Sequence, residues 1–262
     1  MHFKDGIIFG SVLACGLVLS SAAFACSTDG WNGGVVGLST TLFVDSPPSF
    51  PRYSEFCGMN VTGTGSVRDL SPNHDRIRAR FYVFSQLTGT GDAVLFRAYA
   101  DEGDATPLFE VRRNDGNLVF DASDAGGGSQ SVASPSGWVA VEFDWDSVGN
   151  TFDIWVNADA SVATATASTT AGSGTVSSVR LGLVAGLGGF SGNAVFDAYE
   201  AHSTTAVGRL LAGDANGNEV NDIADVLAVG GELNGTLAVG QPDCNEDGAI
   251  GIADVLCVGG KL

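Results

Sequence analysis

Near its C-terminus the chain almost repeats itself. Residues 214–233 read DANGNEVNDIADVLAVGGEL and residues 243–262 read DCNEDGAIGIADVLCVGGKL, and eleven of the twenty aligned positions are identical at a constant offset of 29. Asp214 matches Asp243, Asn216 matches Asn245, Asn218 matches Asp247 and Asp225 matches Asp254, after which the same apolar run follows. Oxygen-bearing side chains at alternate positions, doubled in register, constrain this part of the fold more than any other feature. Carboxylates held so close repel one another unless something positive sits among them.

Each copy reads as a twelve-residue calcium loop, in which positions 1, 3, 5 and 12 offer side-chain oxygens and position 7 a backbone carbonyl. The first loop would use Asp214, Asn216, Asn218, the Val220 carbonyl and Asp225, with Asp222 at position 9. The second would use Asp243, Asn245, Asp247, the Ala249 carbonyl and Asp254. Ca²⁺ is a hard cation that takes six to eight oxygens, so two Ca²⁺ ions are expected. Gly248 stands at position 6 of the second loop, where the sharp turn favours glycine; Glu219 stands there in the first. A non-glycine residue is strained at positive φ, which predicts weaker binding by the first loop. Asx-rich turns without metal are the alternative. Short helices are expected over 223–229 and 252–258, each stopped by Gly-Gly at its C-cap.

Loop followed by helix, twice, with Asp at position 12 and no helix before either loop, resembles a bacterial dockerin over about the last fifty residues. The resemblance implies a calcium-dependent module that docks onto a cohesin-like or envelope protein. In that family positions 10 and 11 contact the partner, which here are Ile223-Ala224 and Ile252-Ala253. These apolar pairs depart from the polar residues common there, and their identity in both copies allows two equivalent docking modes. Cys244 and Cys257 both replace alanines of the first copy, Ala215 and Ala228. A paired replacement predicts that the two sites face each other in a Cys244–Cys257 disulfide.

The N-terminus carries Lys4, an apolar stretch over 6–19 and then Ala23-Phe24-Ala25, the order of a secretory signal spanning 1–25. The apolar run is shorter than the ~20 residues that cross a bilayer, so no transmembrane segment is expected in the mature chain. Export makes disulfides permissible, and by elimination Cys26 would pair with Cys57; lipidation of Cys26 is the alternative. The net charge of −18 argues against a nucleic-acid partner.

Residues 26–205 read differently. Runs such as RIRARFYVF (76–84), WVAVEFDW (138–145) and TFDIWVNAD (151–159) alternate apolar and polar side chains between Gly, Ser, Asp and Pro. Period two predicts strands with one buried face, some eleven or twelve of them, and Asp115-Gly116 predicts a hairpin turn. That number suits a mainly β, jelly-roll sandwich. Parity puts Val139, Val141, Phe143, Trp145, Phe152, Ile154 and Val156 inside. Gly137-Trp138-Val139-Ala140-Val141-Glu142-Phe143, Phe152-Asp153-Ile154-Trp155-Val156-Asn157 and Phe196-Asp197-Ala198-Tyr199-Glu200 make the segment similar to the concanavalin/laminin-G-like jelly rolls, which implies binding of carbohydrate or protein.

The expected organisation is therefore a signal (1–25), a jelly-roll sandwich (26–205), a linker (206–212) and a small α-helical, calcium-binding, dockerin-like domain (213–262). Tyr82, Arg97, Tyr99 and Trp155, on the outward faces, are candidates for a polysaccharide ligand, since aromatic rings stack on sugars and charged groups bond hydroxyls. The expected function is a secreted, non-catalytic binding and anchoring protein. One rival is a polysaccharide-active hydrolase, because Glu142, Asp144 and Asp146 approach the E-x-D-x-E signature of laminarinase-like glucanases. The other is a purely structural envelope protein.

Overall fold

A computed structural model describes residues 31–37, 41–43, 51–54 and 58–262. The expected signal, Cys26 and Cys57 lie outside them. Two seven-stranded sheets, antiparallel throughout, stack face to face. The first runs, in spatial order, Val35–Val36, Gly65–His74, Val176–Ala185, Asp92–Tyr99, Pro107–Asn114, Asn117–Asp121 and Ser129–Ala133. The second runs Ala167–Thr169, Thr151–Val156, Trp138–Asp146, Arg76–Ser85, Asn193–His202, Met59–Thr62 and Thr41–Phe43. A short ribbon pairs Thr88–Gly89 with Phe190–Ser191.

The alternation seen in the sequence explains the sandwich. Val139, Val141, Phe143 and Trp145 point inward from one strand and meet Phe152 and Ile154 from its neighbour. Phe96 and Phe109 reach them from the opposite sheet, with ring centroids 5.0 Å (Phe96–Phe143) and 5.4 Å (Phe109–Phe143) apart. The Trp145 indole N–H donates to the Ala171 carbonyl at 2.9 Å, so this large ring is buried without an orphan donor. The hairpin turn falls where expected: Asp115 and Gly116 have φ of 42° and 87° between strands in register at Asn114 and Asn117.

Two helices follow, α1 (Ile223–Leu233) and α2 (Ile252–Gly259), packed together over Ala215, Val229, Ala238, Cys244 and Val258. The Cys244–Cys257 disulfide is present, tying the second loop to α2. Gly230-Gly231 does not stop α1, contrary to the expectation. The helix runs one turn further because Glu232, buried, pairs with Arg52 at 2.6 Å and accepts the Ala238 N–H at 2.6 Å. Asn234 caps it instead, and Gly235 follows at φ 87°.

A second apolar cluster lies outside the sandwich, on the outward face of the second sheet: Tyr53, Tyr82, Trp138, Ala140 and Val195. The Tyr53 and Tyr82 rings stack with centroids 3.6 Å apart, and Trp138 meets Tyr53 edge-on at 5.5 Å. The C-terminal part covers this cluster. Glu246, which lies between two expected calcium ligands, accepts the Tyr53 hydroxyl at 2.6 Å and pairs with Arg209, while its carbonyl accepts the Trp138 N–H at 2.9 Å. A Cβ on Gly248 would come within 2.2 Å of the Phe84 ring, so only glycine permits this approach. Residues 206–212, expected as a linker, form a strap along the sheet. Val207 and Gly208 donate to Glu142, Arg80 donates to the Gly208 carbonyl at 2.7 Å, and Leu210 N–H donates to the Tyr82 hydroxyl at 2.9 Å.

Glu246→Ala leaves a buried phenol and a guanidinium without their acceptor. Hydrogen bonds to charged groups are worth about 1.5–3 kcal/mol each, so urea unfolding of the full chain is expected to show a loss of about 2–4 kcal/mol. A change below ~0.5 kcal/mol would mean that the tail does not brace the sheet.

Candidate functional site

The two C-terminal loops share six backbone-to-side-chain bonds. In the first, Asp214 accepts the N–H groups of Asn218 and Glu219, Asn216 accepts that of Asn218, Asn218 accepts that of Val220, and Asp225 accepts those of Asn216 and Asp222. In the second, Asp243 accepts from Asp247 and Gly248, Asn245 from Asp247, Asp247 from Ala249, and Asp254 from Asn245 and Gly251. Every one of these bonds recurs 29 residues later. Asp225 also closes a capping box with Asp222, whose side chain accepts the Ala224 N–H at 2.7 Å, so position 12 starts α1 as well as closing the loop.

The donor set fits a hard cation. Asp225 and Asp254 are fully buried, and among the described residues neither pairs with a Lys, Arg or His. Buried charge is normally paired or bound to metal. Asp243 is pushed up to about 7, chiefly by burial and further by the neighbouring Asp254 and Asp247 carboxylates. Among the described residues no three His, Cys, Asp or Glu side chains form a metal cluster by themselves. The available donors are a mixture of carboxylate, amide and carbonyl oxygen, the mixture that Ca²⁺ accepts.

The backbone strain expected in the first loop has a counterpart in the second. Glu219 does take a positive φ of 66° at position 6, but Glu246 takes 61° at position 4, where the first loop has Gly217 at 75°. Each loop thus holds one glycine and one glutamate in the left-handed region. The two glutamates differ in what they do: Glu246 anchors the tail, whereas Glu219 is exposed. Glu219→Gly is therefore expected to raise the thermal midpoint, by relief of about 0.5–1 kcal/mol of backbone strain. An unchanged or lower midpoint would show that strain at this position is not limiting.

The apolar pairs at positions 10 and 11 are exposed. Ile223 and Ile252 are 63% and 68% accessible, and Leu227 and Leu256, one turn on, are each 71% accessible. Ala224 and Ala253 are exposed beside them. The two helices therefore show matching apolar stripes. Sequence reasoning missed Leu227 and Leu256, although their i+4 spacing from the isoleucines was visible.

The four outward-facing saccharide candidates do not share one site. Tyr82 is fully buried under Tyr53, so it offers no ring to a ligand. Arg97 and Tyr99 belong to the other sheet, where Tyr99 is buried and Arg97 pairs with Glu110. Trp155 is half-buried, its N–H donating to the Ala163 carbonyl at 3.0 Å. It walls a cleft of about 220 Å³ with Arg76, Arg78, Glu142, Asp144, Asp153, Ala160 and Ala206. Glu142 accepts the Val207 and Gly208 N–H groups, Asp144 pairs with Arg76 at 2.5 Å and Arg78 at 2.6 Å, and Asp146 lies 3.6 Å from Arg76. These contacts engage all three carboxylates of the glucanase-like motif. Burial raises the Asp144 carboxyl, but bonds from Arg76 and Arg78 outweigh it and hold it below the ordinary carboxylate range.

No protein-family model matches the chain, and no curated protein matches it in sequence. Solved structures with a similar outline include one described as cellulose induced protein, Cip1, with 14% identity over 70% of this chain and 92% of that one and a TM-score of 0.44. A sialidase shows 12% identity over 63% of this chain at a TM-score of 0.40, and the binding domain of botulinum neurotoxin DC, in complex with SialylT, 9% over 66% at 0.42. The chain spans 17% of the sialidase and 44% of the toxin domain. Likenesses of this size carry no functional argument.

Because the Asp144 carboxyl is depressed in the folded protein, its contribution is present above the ordinary value near 3.8 and is lost as pH falls through the lower folded value. Asp144→Asn is expected to destabilise the protein at neutral pH, with the penalty shrinking in acid. A pH-independent penalty in chemical unfolding would show that the Arg76–Asp144–Arg78 cluster is not an ionic one.

Proposed function

We infer that the protein is an exported, non-catalytic binding protein. Its C-terminal repeat pair holds two Ca²⁺ ions and presents two equivalent apolar stripes, Ile223/Leu227 and Ile252/Leu256, to a cohesin-like or envelope partner. The observation that carries this reading is the recurrence of the same six bonds in both loops around an oxygen-only donor set. Asp214, Asn216, Asn218, the Val220 carbonyl and Asp225 would hold one ion, with Asp222 alongside. Asp243, Asn245, Asp247, the Ala249 carbonyl and Asp254 would hold the other. Bound Ca²⁺ supplies the positive charge that these buried carboxylates lack, and its binding free energy becomes folding free energy. The disulfide is in keeping with an oxidising, extracellular compartment. Among the described residues no helix is long and apolar enough to cross a membrane.

The cleft beside Trp155 is the place for a saccharide in this reading. An indole wall with carboxylate and guanidinium groups suits a sugar ring and its hydroxyls.

Calcium at a hundred times its Kd adds about 2.7 kcal/mol to stability. For a chain of this size that is a rise of roughly 5–10 °C in the thermal midpoint, reversed by EDTA. Asp243→Asn with Asp254→Asn should abolish much of the shift, and capture of a partner from the native secretome should need both calcium and the apolar stripes. A midpoint indifferent to calcium and to EDTA, with no heat on titration, would sink the reading.

A further inference from the structure

The outward face of the first sheet carries an unexpected row of like charges. Arg68 lies directly across from Arg180, and Arg180 directly across from Arg97. Like charges opposite one another on neighbouring strands are destabilising. In a chain with twelve Lys and Arg against thirty Asp and Glu, three adjacent arginines are a cost that sandwich packing does not require.

The outer two arginines have partners. Arg68 donates to the Gly33 and Glu102 carbonyls at 3.2 Å each and lies 3.4 Å from Asp104. Arg97 pairs with Glu110, which Arg112 also reaches at 3.1 Å. Arg180, in the middle, does not pair with a carboxylate among the described residues. Its Nε donates to the Ser66 hydroxyl at 2.9 Å, and its two terminal nitrogens make no hydrogen bond among the described residues. Ser66 holds the guanidinium by one edge and leaves its fork free. Such a planar fork matches a carboxylate in two parallel bonds.

The surroundings select the occupant. Among the described residues the one exposed large apolar side chain on this sheet is Val35, on the edge strand beside Gly65–His74, and its register partner Val67 faces the core, so the outward face that carries the arginines has none. A peptide or protein partner would lack the apolar anchor that such interfaces depend on. A hydrophilic anion needs none.

We propose that Arg180, flanked by Arg68 and Arg97, is a binding site for the carboxylate of an acidic saccharide. The site lies on the opposite sheet from the Trp155 cleft, and rests on the carbohydrate reading only for the class of ligand. Remote negative charge does not forbid it, because at 0.15 M salt charges beyond about 8 Å are largely screened.

Trigalacturonate titrated into the full-length, calcium-loaded protein at 0.15 M salt tests this, followed by calorimetry, with neutral cellotriose in parallel. Trigalacturonate is expected to bind, with at least a tenfold weaker Kd in Arg180→Gln and an intermediate loss in Arg180→Lys, which keeps the charge but not the fork. Circular dichroism of each variant confirms folding. Trp155→Ala should leave trigalacturonate binding intact while removing any cellotriose binding, so failure of this site and failure of the cleft are read separately. Absence of trigalacturonate binding, equal binding by Arg180→Gln, or loss in Trp155→Ala alone would overturn the proposal.

Discussion

The Glu246 carboxylate and backbone hold the molecule's two parts together. This residue sits within the second loop and donates its N–H to the Asp243 carbonyl there, yet its carboxylate and carbonyl go to Tyr53, Arg209 and the Trp138 backbone. The three aromatic rings beneath it are buried against one another and under the strap and the tail. Burial keeps the Tyr53 phenol protonated, reinforced by Tyr82 and Glu246, so it acts as a donor into that carboxylate. An ion held by Asp243, Asn245 and Asp247 would order the segment from which this bracing departs. The tail is then a structural partner of the sandwich.

This coupling explains why the two loops, alike in their bonds, differ in their residues. At the two left-handed positions the copies exchange Gly and Glu. The second loop needs glycine at position 6 because Phe84 leaves no room for a Cβ, and it uses glutamate at position 4 as the anchor. The first loop faces no such wall, so Glu219 is tolerated in solvent. The two loops share their bonds, and only the second is shaped by contact with the sheet. Among the described residues nothing covers the matched stripes on α1 and α2.

The two outward faces of the sandwich meet different demands. On the second sheet, Arg76, Arg78 and Arg80 find Asp144 and Glu200, and the strap satisfies Glu142. Buried charge there is balanced locally. On the first sheet the charges are arranged in rows, and among the described residues the central guanidinium bonds to a hydroxyl alone.

Much of this was legible in the sequence because it is local or periodic. Alternation of period two determined which side of each strand meets the core, and Val139, Val141, Phe143 and Trp145 all join it, although Ala140, Glu142 and Asp144 between them are buried as well. The spacing of Asp and Asn determined the loop bonds, which join residues no more than nine apart. The matched Cys-for-Ala replacements determined the disulfide. What covers an outward face is another matter: Tyr53 meets Glu246 across 193 positions, and Arg52 meets Glu232 across 180. Alternation marks Tyr82 as outward but is silent on whether water, a ligand or another part of the chain lies beyond it. Only the tertiary structure decided that Tyr82 and Trp138 are core and Trp155 is cleft, because burial of an outer face depends on where a distant segment comes to rest.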